Sequence, residues 1–412
     1  MVEKLKKVDV SKVLGKITIY VFFASFFVWT GGIKYSVWLG VLALLIKKFA
    51  NKEELVIGPK ILAYSNLYIF VGTVLIDIIT YSKTGRMGAF DRYNIFLMYF
   101  VLLNYIDSRK ELERLLFIFT CSIFLSFFGA ISDIRILINR PSHRIDSFFG
   151  IMRYSHMLAT GSTFVLGMIL YSKEKLKAFF YIFTYIISVF LVLFTKTRGA
   201  ILAMIIAQVM LIIYFIILEK KYKVIIPIIV LLASAWYLLP EDINNNLLAR
   251  FGNSTNSDNM RVIFWKASID GFKESPLIGT GYRGAELAFK EYFEKEELTN
   301  YVMRSYGKID GNSHNSYFES LLRFGILVGG YILIYLLVII PVIWIKRYKG
   351  IEDKWKDIYK WIPFTFFGFY ISMLTESVLS SRTGNLLILS ISLMAMCIMN
   401  FSEDLRLEVE GE

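Results

Sequence analysis

The sequence predicts an all-α integral membrane protein of about twelve transmembrane helices, with a large helical loop between the ninth and tenth spans. Three observations predict it. Of 412 residues, 56% are hydrophobic and 16% aromatic, a composition beyond that of ordinary soluble domains. Apolar runs recur along the whole chain, and a run of roughly 17–25 residues is enough to cross a hydrocarbon core of about 30 Å. Lysine and arginine alternate between rich and poor connections, which is the signature that orients membrane spans.

Taken in order, the runs lie near 14–30, 34–49, 61–80, 92–106, 113–137, 151–171, 177–195, 199–218, 222–239, 316–345, 359–380 and 384–401. The first two and the fourth are the shortest. An even number places both termini on one side. That side also holds Lys4, Lys6, Lys7 and Lys12, then Lys47, Lys48 and Lys52, then Arg109, Lys110 and Arg114. Lys173, Lys175 and Lys177 follow, then Lys220, Lys221 and Lys223, then the cluster from Lys346 to Lys360. Short basic loops stay in the cytoplasm, so both termini are predicted to be cytoplasmic. The layout is then nine spans in 1–239, a periplasmic loop at 240–315, three spans in 316–401 and a cytoplasmic tail at 402–412.

The loop is too long for a passive connector. Asp258 is placed to cap a helix whose Met260, Ile263, Phe264 and Ala267 share one face, and Ser275-Pro276 ends it. After the Gly-rich PLIGTGYRG, a second amphipathic run puts Ala285, Ala288, Phe289, Tyr292 and Phe293 together. Two short helices are expected over the outer mouth of the bundle.

Other classes of chemistry are disfavoured by what the sequence lacks. The formal charge of +12 sits mainly in short loops and so reads as topology, with no nucleic-acid partner. Cys121 and Cys397 lie inside apolar runs, which argues against a disulfide framework or thiolate site. No D-x-D pair stands in an outer loop, no cluster has metal-ligand spacing, and no Walker loop or G-x-G-x-x-G fingerprint occurs. Neither metal nor cofactor is expected, and a donor substrate must arrive activated.

The polar residues that remain crowd towards the outer face. All three histidines, His143, His156 and His314, fall there. His314 stands where the long loop re-enters the membrane, among Asn312, Ser313, Asn315 and Ser316. A lone histidine is usually structural; at such a junction it is a candidate to take a proton from a hydroxyl. Glu319 and Arg323, spaced i, i+4, either form a structural ion pair or orient the site. Arg198 lies in the short turn TKTRGA beside Lys196, Arg140, Arg144 and Arg153 flank the sixth span, and Arg261 and Arg283 lie in the loop. One such arginine is ordinarily a solvated charge. Together they suggest an anionic ligand, for which guanidinium forks suit phosphate oxygens. GTGYRG offers backbone N–H groups that suit the same anion. Asp77, Asp133 and Glu376, at or near span ends, are either functional or structural carboxylates.

Three stretches in this order, TKTRGA at 195–200, RVIFWKASIDGFKESPLIGTGYRG at 261–284 and HNSYFESLLRFGILVGG at 314–330, resemble the O-antigen ligase and polymerase superfamily. The motif likeness covers roughly residues 190–335; the earlier spans match by topology. The glycines after His314 depart from the family's G-x-x-G, because Gly325 is followed by Ile-Leu-Val and then Gly329-Gly330. The resemblance implies a fold like GT-C-type membrane glycosyltransferases, in the bacterial inner membrane with a periplasmic site. It implies transfer of a glycan from an undecaprenyl-diphosphate carrier to lipid A core, or to another lipid-linked glycan in the polymerases. Carried over, the catalytic residues are His314, Arg198 and Arg261. Arg283, Arg153, Lys196, Asn315, Glu319 and Arg323 are the candidate substrate-binding residues around them. A transporter or flippase of lipid-linked sugars is the rival class, disfavoured because no repeat halves are visible.

Overall fold

The computed structural model describes residues 9–220 except Arg86, and 256–399 except Lys308, Asp310 and 380–382, with isolated positions between 221 and 255. The first eight residues, most of the expected ninth span at 222–239 and the tail at 402–412 lie outside the described residues. The helices are α1 Val10–Ser25, α2 Thr30–Leu45, α3 Lys60–Thr84, α4 Ala89–Tyr93, α5 Met98–Tyr105 and α6 Arg109–Asn139. They continue with α7 Ile151–Tyr171, α8 Lys175–Phe194, α9 Arg198–Ile217, α10 Asn256–Glu274, α11 Gly284–Lys295 and α12 Thr299–Tyr306. The last are α13 Ser316–Gly350, α14 Asp353–Thr375 and α15 Thr383–Ile398. No strand occurs among the described residues.

Among the described residues, five helices are long and apolar enough to cross a membrane: Lys60–Ser82, Arg109–Asn139, Lys175–Phe194, Arg198–Ile217 and Ser316–Gly350. The count of twelve is not reached on that criterion, and the reasons differ by element. Helices α1 and α2 have 16 residues each, about 24 Å at the helical rise. The run at 92–106 is broken into α4, a 3₁₀ turn at Asn94–Leu97 and α5. Helix α14 opens with the charged sequence DKWKD.

Helix α7 sits inside the bundle, packed against α8, α9, α14 and α15. Every residue from Tyr154 to Leu170 is buried. Its small residues allow this close approach: a Cβ on Gly161 would stand 2.8 Å from the Phe27 ring, and one on Gly167 2.6 Å from the Trp361 indole. Phe164 meets Trp361 edge to face at 4.5 Å between centroids. Outer helices show the converse pattern. On α9, Leu202, Ile205, Val209 and Ile213 are exposed, an apolar stripe at helical spacing that suits lipid.

The long loop forms its own small core. Met260, Phe264 and Ala267 of α10 pack with Ala285, Ala288, Phe289 and Phe293 of α11, Val302 of α12 and Leu322 of α13. Both amphipathic faces read from the sequence are therefore buried faces; Ile263 and Tyr292 are at the edge. A third helix, α12, was not expected. Helix α10 begins at Asn256, so Asp258 lies in its first turn and does not precede it.

Main-chain hydrogen bonds stitch this module to α13. Thr280 N donates to Leu322 O at 2.8 Å, Gly281 N to Arg323 O at 2.9 Å, and Ile326 N to Pro276 O at 2.8 Å. The approach demands glycine. At Gly325, φ +59°, a Cβ would lie 2.3 Å from Leu277 O. Residues Gly325–Gly330 form a π turn, a wider turn that takes up the longer glycine spacing noted above.

Candidate active site

Helix α13 begins at the junction that carries His314. Asn315 is its N-cap, with Oδ1 accepting from Tyr317 N at 2.9 Å and Phe318 N at 3.2 Å. Its Nδ2 donates to Leu374 O at 3.2 Å, which ties the start of α13 to the end of α14. Ser316 Oγ donates to Glu376 O at 2.9 Å and accepts from Val378 N at 2.8 Å. The ends of two helices are thus sewn together, and His314 and Glu376 are brought face to face across 62 positions of sequence.

His314 has φ +50°, in the left-handed region that non-glycine residues enter at a cost. Asn312 holds it there: its Oδ1 accepts from His314 N at 2.9 Å and from Ser377 Oγ at 2.6 Å. The imidazole Nδ1 stands 3.0 Å from Glu376 Oε2, and both residues are only 8% exposed. A carboxylate on Nδ1 fixes the tautomer, so that the proton sits on Nδ1 and the lone pair on Nε2. It also stabilises the imidazolium that forms when Nε2 takes a proton. Phe264 of α10 covers the other side of the ring at 5.8 Å between centroids.

The arginines divide into two groups. Arg261 lies one helical turn before Phe264 on α10 and is half-buried. One turn on, Phe264 meets the His314 ring, so Arg261 lies on the stretch of α10 next to that contact. Arg198 opens α9. The next residue, Gly199, lies so close to α14 that a Cβ would be 2.2 Å from Thr375 Oγ1, so the start of α9 abuts the corner that carries Glu376. Thr197, at the N-cap position, makes no side-chain capping bond. The positive end of the helix and Arg198 therefore favour an anion at the same point. Arg153, in the first turn of α7, is exposed one turn before His156.

The remaining candidates are engaged in architecture. Lys196 donates to Pro141 O. Arg144 donates from Nε to Thr195 O at 2.7 Å and from Nη2 to Thr197 Oγ1 at 2.9 Å, so these two cations brace the turn from which Arg198 projects. Arg323 Nε lies 2.7 Å from Glu319 Oε1, Nη2 donates to Gly311 O at 3.1 Å and Nη1 to Tyr282 O. Its guanidinium also covers the Tyr282 ring at 4.1 Å. This buried pair clamps the loop onto α13. Arg283 is exposed at the start of α11, over the other side of the Tyr282 neighbourhood at 5.9 Å from the ring.

The Gly-rich loop is a correction to the sequence reading. Its N–H groups do not converge on an anion: Gly279 N donates to Ser275 O, Thr280 N to Leu322 O and Gly281 N to Arg323 O. Tyr282 N donates to Asp77 Oδ1 at 2.8 Å. Asp77 also accepts from Gly88 N at 2.5 Å and Ala89 N at 2.7 Å, which makes it an anchor. Asp133 anchors the 140–150 connection through His143 Nε2 at 3.3 Å and Asp146 N at 3.1 Å. Of the three carboxylates that the sequence singled out, only Glu376 faces His314. Its partnership was not legible because nothing local links positions 314 and 376. Among the described residues, no three His, Cys, Asp or Glu side chains gather in a way that could hold a metal ion.

A search of curated proteins finds no match to the chain. Residues 183–333, the stretch that carries Arg198, Arg261 and His314, match the family described as O-Antigen ligase. The three motifs, at 195–200, 261–284 and 314–330, all lie within the matched segment, which is similar to the O-antigen ligase superfamily.

Proposed function

We propose that the protein transfers a glycan from undecaprenyl diphosphate to an acceptor sugar, lipid A core in the first reading, at the periplasmic face of the inner membrane. The observation that supports it is the His314–Glu376 pair at 3.0 Å, with the start of α9 against Thr375 and Phe264 of α10 against the His314 ring. His314 Nε2 takes the proton of the acceptor hydroxyl as its oxygen attacks the anomeric carbon, and the configuration inverts. The bond from that carbon to the diphosphate oxygen breaks, and the charge that grows on the diphosphate is balanced by Arg198 and Arg261. Arg153 and Arg283 lie on the exposed side, where they suit the remoter phosphate or the lipid surface. No metal takes part in this scheme.

The family covers the general activity, ligation or polymerisation of lipid-linked glycan; the donor, acceptor and roles above are ours. A surface polysaccharide polymerase would use the same groups, and the product separates the two: one transfer onto lipid A core, or a ladder of carrier-linked chains. The test is transfer by the purified protein supplied with lipid-linked glycan and acceptor. Wild type should transfer in the presence of a chelator, and transfer by His314→Ala should fall to a small residual rate. Undiminished transfer by His314→Ala, or its loss on chelation, overturns the scheme. Movement of the lipid-linked sugar across proteoliposomes without bond formation would favour a transporter instead.

A further inference from the structure

His156 has no part in the scheme above, yet its surroundings are unusual. It is 1% exposed, on the helix buried along its whole inner length. Neither ring nitrogen meets a hydrogen-bond partner among the described residues. An imidazole always has two polar edges, and a buried polar group without a partner costs the folded state stability. Core histidines in a well-packed bundle avoid this by bonding a backbone or side-chain group. The polar neighbours show that such bonding is available on α7. Thr160 Oγ1 donates to His156 O at 3.2 Å, Thr163 Oγ1 to Ala159 O at 3.1 Å, and Ser162 Oγ accepts from Gln208 Nε2 at 2.9 Å.

Its position is not that of an isolated core residue. The charged groups that act on it are Glu376, at the end of α14, and Arg261, on α10. Glu376 is the partner of His314, and Arg153 lies one turn earlier on α7, at the exposed end. His156 is therefore a buried polar group whose charged neighbours include the carboxylate of the dyad.

We infer that His156 is a substrate-binding residue, whose unpartnered ring nitrogens near the His314–Glu376 pair hydrogen-bond a hydroxyl of the bound sugar. A neutral imidazole offers one donor and one acceptor, and a sugar hydroxyl offers both in return. A diphosphate oxygen only accepts, so it would satisfy just one of the two ring edges. This inference rests on the glycan-transfer reading, and it adds a contact to that reading without altering the role of His314.

The experiment compares wild type, His156→Phe, His156→Gln and His314→Ala for thermal stability and for transfer kinetics. Phenylalanine keeps an aromatic ring of similar size and removes both buried polar atoms. His156→Phe should melt at or above the wild-type temperature, while KM for the lipid-linked glycan or acceptor sugar rises roughly tenfold, the loss of one hydrogen bond. His156→Gln, which restores a donor and an acceptor, should recover part of that loss. A folded His156→Phe with wild-type KM and kcat overturns the inference. So does a marked fall in its melting temperature, since that would reveal a structural bond. Full transfer by His314→Ala alongside an impaired His156→Phe would strike the dyad reading alone, so the two failures are distinguishable.

Discussion

At the scale of single residues, two histidines and one carboxylate carry the chemistry argued above, while most of the cations hold the frame. Replacement of Glu376 by Gln keeps the shape and removes the charge that fixes the His314 tautomer. Transfer by Glu376→Gln should fall by roughly 10²–10³, with little change in KM, as measured by initial rates at saturating donor. Removal of either guanidinium, in Arg198→Ala or Arg261→Ala, should cost on the order of 10²–10³ in rate. Arg323→Ala is different in kind. It leaves Glu319 buried without its partner at 2.7 Å, which should destabilise the fold by about 3–5 kcal/mol. A thermal melt would show this as a lower transition, whereas Arg198→Ala should melt as wild type. The sequence singles out His314, Arg198 and Arg261 because a motif carries them, and their roles are proposals. Lys196, Asn315, Glu319 and Arg323 belong to the same motifs, but sequence does not separate a residue that holds a motif's shape from one that meets the substrate. Asn315 caps α13, and Lys196 braces a turn.

Among the elements, periodicity served well wherever one face is apolar. The buried faces of α10 and α11 follow the sequence pattern, with Ile263 and Tyr292 at their edges, because those helices have one dry side and one wet side. Span boundaries served less well. The run at 92–106 is uniformly apolar, and uniform apolarity contains no period that would reveal its break into α4, a 3₁₀ turn and α5. Helix α7 has the bounds expected of a span, and its place inside the bundle was not legible; small polar residues such as Ser155, Ser162 and Thr163 let neighbours surround it. The loop-to-α13 seam depends on backbone approach. Gly325→Val would place a branched Cβ against Leu277 O at a positive φ, and should shift the 276–281 segment away from α13. The expected result is faster amide exchange at Ile326 and Leu327, whose N–H groups donate to Pro276 and Leu277. Unchanged exchange there would show that the seam tolerates the change.

For the molecule as a whole, the account requires that residues drawn from α9, α10, α13 and α14 act at one end of a lipid-embedded bundle. Basic residues lie at the other end of two of these helices, with Lys346 and Arg347 late in α13 and Lys354 and Lys356 early in α14. After Cys121 and Cys397 are replaced by serine, a cysteine at Arg283 should react with an impermeant maleimide from the periplasmic side. A cysteine at Lys173 should not, and the reverse pattern would refute the proposed orientation. Convergence itself is tested most directly by a double-mutant cycle on His314 and Glu376. If the two act as one unit, His314→Ala/Glu376→Gln should transfer no more slowly than His314→Ala alone. Independent, multiplicative losses in the double variant would contradict the dyad.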